Sequence, residues 1–73
     1  MKAEVIAIGS ELLLGQIIDT NSSYIAKRLR ENGIELVQTT TVGDDLHRIM
    51  EVIQEAVHRS QIVITTGGIG PTE

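Results

Sequence analysis

Glycines and carboxylates follow three apolar stretches of this sequence, at the positions where strands would end. The segments are Gly9-Ser10-Glu11, Gly43-Asp44-Asp45 and Thr66-Gly67-Gly68-Ile69-Gly70. Because open α/β sheets bind ligands at the carboxyl ends of their strands, we expect these segments to meet at one edge. Glycines there turn backbone N–H groups toward an anion without a Cβ in the way. The last segment therefore predicts a phosphate or pyrophosphate site, with a simple turn as the equally weighted alternative.

The carboxylates near these glycines have competing roles. Asp44 and Asp45 directly precede an amphipathic stretch, so we expect one of them to cap a helix. The other would face the strand ends and hold a divalent cation through its oxygens, which are the ligands that hard cations prefer. Glu11 is either a second oxygen ligand or a solvated loop carboxylate. The sequence leaves both alternatives open.

Asp19, Thr20 and Asn21 are three successive residues of the types that begin helices. They could also direct the positive end of that helix at an anionic group. Capping alone explains them well, so a role in ligand binding is the weaker hypothesis for this segment.

Better-known phosphate and hydrolase motifs do not fit the sequence. No lysine occurs beyond Lys27, so the Gly-Lys-Ser/Thr of a P-loop is missing, and Gly9 and Gly15 are too far apart for the dinucleotide fingerprint. The serine-hydrolase pattern G-x-S-x-G is also missing. These observations argue against a P-loop NTPase, a dehydrogenase and a serine hydrolase.

Strand and helix patterns alternate along the chain. The elements that they predict must position the candidate site residues. Apolar, β-branched stretches predict strands over 3–8, 34–42 and 61–65. A helix is predicted between the Asp19–Asn21 segment and Gly33, and a strongly amphipathic one from Leu46 to Arg59. Residues 10–19 could form a helical turn, an extended arm or a hairpin. This order predicts parallel strands with right-handed crossovers and helices on both faces.

Composition and charge exclude several classes of function. Six Lys and Arg stand against ten Asp and Glu, for a net charge of −4, and Tyr24 is the only aromatic residue. We therefore expect no nucleic-acid partner, which would need a basic face or stacking aromatics. Apolar runs are far shorter than the roughly 20 residues of a membrane span, so we expect no membrane partner. The absence of cysteine is compatible with a cytoplasmic location.

Three separated motifs in the same order closely resemble the N-terminal domain of the CinA (competence/damage-inducible protein) family. They are MKAEVIAIGSELLLGQIIDTN, TVGDD and ITTGGIGPT. This family is a member of the molybdopterin-binding MoaB/Mog superfamily, and the resemblance covers essentially the whole chain. It implies a three-layer α/β/α domain with a mainly parallel sheet, of which residues 1–73 would be the N-terminal βαβαβ portion. The family pattern continues with Asp-Asp-x-Thr, so we expect one larger domain and an inactive fragment.

The resemblance also implies an activity and a set of site residues. Superfamily members bind molybdopterin and some adenylylate it, whereas CinA-type domains are associated with metal-dependent hydrolysis of the ADP-ribose pyrophosphate. By motif, Asp44 would be the catalytic acid and the ligand of Mg, Mn or Co. The matched phosphate-binding or substrate-binding positions are Gly9, Ser10, Glu11, Asp19, Thr20, Asn21, Thr66, Gly67, Gly68 and Gly70.

Three functions remain open at the level of sequence. The first is metal-dependent cleavage of an ADP-ribose-like pyrophosphate in the full-length protein. The second is molybdopterin binding or adenylylation, and the third is a non-catalytic ligand-binding or oligomerisation module. In each case we expect a small nucleotide or pterin ligand and a homo-oligomer.

Overall fold

The sheet of this protein contains three parallel strands in the computed structural model, which describes residues 1–67. The strands are β1 (Lys2–Ile8), β2 (Glu35–Val42) and β3 (Ile62–Thr66), and their order in the sheet is β2-β1-β3. The helices are α1 (Ser10–Leu13), α2 (Thr20–Glu31) and α3 (Leu46–Arg59). The three strands and the two longer helices, α2 and α3, lie within about two residues of the predicted positions and confirm the predicted α/β class.

β1 is the buried centre of the sheet and contributes to the core on both faces. The buried apolar residues on the α2 face are Ala3, Val5 and Leu29, and those on the α3 face are Ile6, Ile8, Val42, Val52 and Ala56. Successive side chains of a strand point to opposite faces, so a strand covered on both sides needs an apolar run without alternation. The sheet is therefore the middle of three layers, between α2 and α3.

Local sequence sets the ends of the two long helices. The Asp19 carboxylate accepts the Ser22 backbone N–H at 3.0 Å and caps α2. Gly33 follows the last residues of α2 with a φ of 71°, and the Ile34 N–H donates to the Leu29 carbonyl oxygen at 2.9 Å. This is a Schellman-type end, in which glycine takes the left-handed conformation at little cost. The chain then reverses directly into β2.

The segment over 10–19 forms a helical turn followed by further turns, which resolves the three alternatives left by the sequence. The Leu14 N–H donates to the Ser10 carbonyl at 2.9 Å, and the Gln16 N–H donates to the Glu11 carbonyl at 2.8 Å. Gly15 then has a φ of 76°, a left-handed conformation that ends the short helix. Within residues 1–67, no helix is long and apolar enough to cross a membrane.

One charged group lies inside the sheet. Glu4 is only 1% exposed, and its carboxylate accepts two hydrogen bonds from Arg59, at 2.7 and 3.0 Å. The Ser60 hydroxyl donates a third, at 2.6 Å. The Arg59 hydrogen bond is the main cause that lowers the pKa of Glu4, against the opposing effect of burial. This cluster fixes the end of α3 to the beginning of the central strand.

Candidate functional site

The three strands end together at one edge of the sheet. Ile8 is in register with Val42, and Ala7 is in register with Thr66, so the loops that follow β1, β2 and β3 begin side by side. The Gly9 backbone N–H extends the ladder by donating to the Val42 carbonyl at 2.9 Å. The glycine-containing segments predicted to meet therefore do begin at a common edge, with the loop after β1 in the middle.

Ser10 and Asp44 join two of these loops. The Ser10 Oγ donates to Asp44 Oδ2 at 3.2 Å and accepts the Asp44 backbone N–H at 3.4 Å, across 34 positions of sequence. Gly43 adjoins this pair: a Cβ there would lie 3.7 Å from Ser10 Oγ, an ordinary contact, and 3.3 Å from Leu13 Cδ2, a tighter one. One hydroxyl thus orients an exposed carboxylate at the strand ends.

The two neighbouring aspartates have different contacts. Asp45 caps α3, since its Oδ1 accepts the backbone N–H groups of His47 at 3.0 Å and Arg48 at 3.4 Å. Asp44 is not needed for that cap, and its side chain lies against Ser10 instead. Of the two alternatives in the sequence, Asp45 takes the capping position and Asp44 lies at the edge of the sheet.

Gly67 brings the third loop against the central strand. Its φ is 86°, in the left-handed region. A Cβ added to it would lie 2.5 Å from the Ile8 carbonyl oxygen, which is closer than real Cβ atoms approach other atoms. Thr66, the last residue of β3, is half-buried. Glycine is therefore required where this loop leaves the sheet, for both conformational and steric reasons. The predicted phosphate-binding residues Gly68 and Gly70 lie outside the described residues.

Glu11 and Gly9 are adjacent at the end of β1. Glu11 is exposed in the first turn of α1, and its Oε2 would lie 3.2 Å from a Cβ on Gly9, so the carboxylate folds back over that glycine. The Gly9 N–H already donates to the Val42 carbonyl, so this N–H is not available to a ligand. Both residues border the Ser10 loop, as the sequence predicted.

The structure gives Asp19, Thr20 and Asn21 a local role. Asp19 caps α2, and Thr20 and Asn21 are exposed residues in the first turn of that helix. Among residues 1–67, no hydrogen bond joins these three to Ser10, Asp44 or Gly67. Their part in ligand binding stays a prediction.

The described residues do not build a self-sufficient metal site. Within 1–67, no group of three or more His, Asp or Glu side chains is arranged to hold a metal ion. Mg²⁺ is often held by one or two carboxylates together with substrate phosphates and waters. Asp44 fits that simpler role as a single carboxylate ligand, because it is exposed and its orientation is fixed by Ser10.

Sequence comparison identifies the family to which this fold and its strand-end site belong. Residues 4–73 match the family described as a probable molybdopterin binding domain, and the chain belongs to that family. Along its whole length it is also similar to CinA proteins. It is 55% identical over 73 residues to the CinA-like protein of Kosmotoga olearia, covering 100% of this chain and 18% of that protein.

A second relative and a solved structure agree. A Clostridioides difficile protein described as competence-damage inducible is 53% identical over 72 residues, covering 99% of this chain and 17% of its own length. The crystal structure of CinA from Thermoplasma acidophilum, a protein of unknown function, matches with a TM-score of 0.92 and 35% identity, over 97% of this chain and 42% of that one. These matches confirm the resemblance to the CinA family. The chain spans less than a fifth of the length of the Kosmotoga and Clostridioides relatives.

Proposed function

We propose that this chain contributes the strand-end site of a CinA-type domain that binds the phosphate of a nucleotide or pterin and cleaves an ADP-ribose-like pyrophosphate with a divalent cation. The observation that supports this most directly is the pair of Ser10 and Asp44, held at 3.2 Å beside the loop that begins at Gly67. An oriented carboxylate and a glycine loop at the same end of the sheet suit a cation–phosphate ligand better than either feature alone.

The residues divide the task between them. Asp44 would hold the cation through Oδ1, while Oδ2 accepts the Ser10 hydroxyl. The loop after Thr66 would offer backbone N–H groups to the phosphate, with Gly68 and Gly70 as its further glycines. A bound cation would supply charge neutralisation on the pyrophosphate oxygens. Water would be the nucleophile. The proposed location is the cytoplasm, where the protein would encounter such substrates.

Binding of molybdopterin, with or without its adenylylation, is the second candidate, and the family description supports the binding. The same phosphate loop and the same carboxylate would serve both ligands, because each presents a phosphate to backbone donors. A non-catalytic binding module is the third candidate.

Turnover and binding assays on a protein of the relatives' full length that carries these 73 residues separate the candidates. ADP-ribose would be incubated with Mg²⁺, Mn²⁺ or Co²⁺, and molybdopterin binding would be measured in parallel. We expect cleavage that Asp44→Asn abolishes. Asp45→Asn is the matched control, because it makes the same charge change one residue away and asparagine also caps helices.

Each outcome selects one candidate. Cleavage lost only in Asp44→Asn supports the hydrolase. Molybdopterin binding without ADP-ribose cleavage, followed by adenylyl transfer from ATP, moves the protein to cofactor biosynthesis. Binding with no bond broken in either assay leaves the non-catalytic module.

A further inference from the structure

A buried polar cluster joins the last turn of α3 to the central strand, at the opposite end of the helix from Asp44. Glu4 lies on the face of β1 that packs against α3, two residues before Ile6. Its carboxylate accepts hydrogen bonds from Arg59 Nε at 2.7 Å, from Arg59 Nη2 at 3.0 Å and from the Ser60 hydroxyl at 2.6 Å. Arg59 is the last residue of α3 and Ser60 follows it, so the cluster attaches this end of the helix to the strand.

The geometry of this cluster is more specific than that of the apolar contacts between α3 and the sheet. Val52 and Ala56 are buried against β-branched residues of the strands, and apolar contacts hold two elements together without a preferred direction. A guanidinium that donates two hydrogen bonds to one carboxylate fixes both their distance and their angle. A buried polar network whose members are satisfied specifies one arrangement of the core. The cluster therefore sets where α3 lies along β1.

The two elements that the cluster joins also carry the Ser10–Asp44 pair at their other ends. Ser10 comes two residues after β1, and Asp44 comes two residues before α3. α3 has 14 residues and is about 20 Å long. Because a helix moves as a rigid element, a shift of α3 along β1 would move Asp44 relative to Ser10. The cluster at one end of the helix thus bears on the separation of two side chains at the other end.

We propose that Glu4, Arg59 and Ser60 are positioning residues, which fix α3 against β1 and thereby hold Asp44 beside Ser10. The consequence for activity rests on the proposed function, in which Asp44 holds the cation. A displacement of about 1 Å at a reacting centre can lower a rate by about 10²-fold, even when the substituted residue is far from the chemistry. A small shift of α3 is therefore enough to impair the site.

An apolar replacement of the whole cluster separates positioning from stability. Removing one partner would leave an unpaired charge, whereas apolar side chains of similar size in place of a buried ion pair are often neutral for stability. The variant Glu4→Met, Arg59→Met and Ser60→Ala would be made in a protein of the relatives' full length that carries these 73 residues. We expect its midpoint of thermal unfolding to change little. Its crystal structure should show Asp44 Oδ2 beyond hydrogen-bond distance of Ser10 Oγ, and kcat/KM for ADP-ribose should fall by at least about tenfold.

The matched control removes an ion pair that lies within a single helix. Arg28 and Glu31 form an exposed pair in α2, with 3.4 Å between Arg28 Nε and Glu31 Oε1. Arg28→Met with Glu31→Met should therefore leave both kcat/KM and the distance from Ser10 Oγ to Asp44 Oδ2 unchanged. An equal displacement of Asp44 in this control would overturn the proposal.

Arg59→Lys is a milder variant that keeps the charge but replaces the planar guanidinium with a single ammonium group. The Arg59 side chain is 45% exposed, so we expect this variant to fold even if the triple variant does not. It should displace Asp44 and lower kcat/KM by a smaller factor than the triple variant. An unchanged distance between Ser10 Oγ and Asp44 Oδ2 in every variant that folds overturns the proposal.

The distance comparison is independent of the proposed activity. A native protein that neither cleaves ADP-ribose nor binds molybdopterin would contradict the proposed function. The crystal structures of the variants would still decide whether the Glu4 cluster positions Asp44.

Discussion

The Ser10 hydroxyl contacts Asp44 twice, as donor to Oδ2 at 3.2 Å and as acceptor of the backbone N–H at 3.4 Å. A side chain that makes both contacts restricts the rotation of the carboxylate and the position of the loop together. The carboxylate oxygen that Ser10 leaves free is then presented in a defined direction at the strand ends.

Ser10→Ala should reduce the activity or ligand affinity of the site by about tenfold or more, the usual effect of removing the group that orients a ligating carboxylate. The measurement is kcat/KM for ADP-ribose, or the dissociation constant of molybdopterin if no cleavage occurs. Ser23→Ala, an exposed change on α2, should have no effect. Equal effects of the two substitutions would contradict an orienting role for Ser10.

Gly67→Ala should lower the free energy of unfolding by about 3 kcal/mol, because it combines a left-handed backbone with a steric clash. Gly15→Ala separates the two causes. Gly15 has a similar φ of 76°, but nothing lies within 4 Å of its added Cβ, so only conformational strain is expected there. That strain is about 1 kcal/mol. Urea denaturation of both variants gives the comparison, and equal losses would rule out the contact with Ile8.

Asp45→Ala should lower the free energy of unfolding by about 1 kcal/mol, the usual value of a helix N-cap. Asp45→Asn should be nearly neutral, since the asparagine side chain can accept the same two N–H groups. Thermal denaturation followed by far-UV circular dichroism, which reports helix content, measures both. A larger loss in Asp44→Ala than in Asp45→Ala would mean that Asp44 is the cap.

Glu4→Gln should lower the free energy of unfolding by about 2 kcal/mol near neutral pH, because hydrogen bonds to a buried charge are lost. Glu35→Gln, at an exposed position of β2, is the matched control and should change it little. Denaturant titrations at several pH values provide the test.

The effect of Glu4 should also depend on pH in one direction. The Arg59 hydrogen bond lowers the pKa of Glu4 in the folded state from its ordinary value of 4.5. The stabilisation is therefore fully present above pH 4.5 and is lost as the pH falls through the lower folded-state pKa. The difference between the native chain and Glu4→Gln should shrink below that pH. A difference that stays constant down to strongly acid pH would contradict the ion pair.

The elements of the fold could be predicted because each carries a local signal. Continuous apolar residues in β1, the regular spacing in α3 and Gly33 after α2 all act within a few positions of sequence. The residues over 10–19 could not be predicted, because Gly15 interrupts the apolar pattern and several turns satisfy the backbone equally well.

The candidate site was predicted in its members but not in its contacts. Parallel strands place their ends together, so Ser10, Asp44 and Gly67 could be expected at one edge. The choice between Asp44 and Asp45 depends on which carboxylate reaches the N–H groups of His47 and Arg48. That depends on the backbone dihedral angles of the loop, which cannot be inferred from the residue types alone. The Glu4 cluster was missed, although a single charge inside the apolar run Ala3–Ile8 was its signal. The roles of the site residues, cation and ligand stay predictions.

The order of the strands has a consequence for how the chain is synthesised. β1 emerges first from the ribosome, but one of its two neighbours is β3, and Ala3 pairs with Ile62. The backbone N–H of Lys2 donates to Gln61 Oε1 at 2.8 Å, and this hydrogen bond likewise cannot form until residue 61 has been synthesised. Contacts this distant in sequence form slowly and late. A nascent chain stalled before residue 62 therefore leaves its most apolar strand open on one side, and we expect it to expose the kind of surface that chaperones bind.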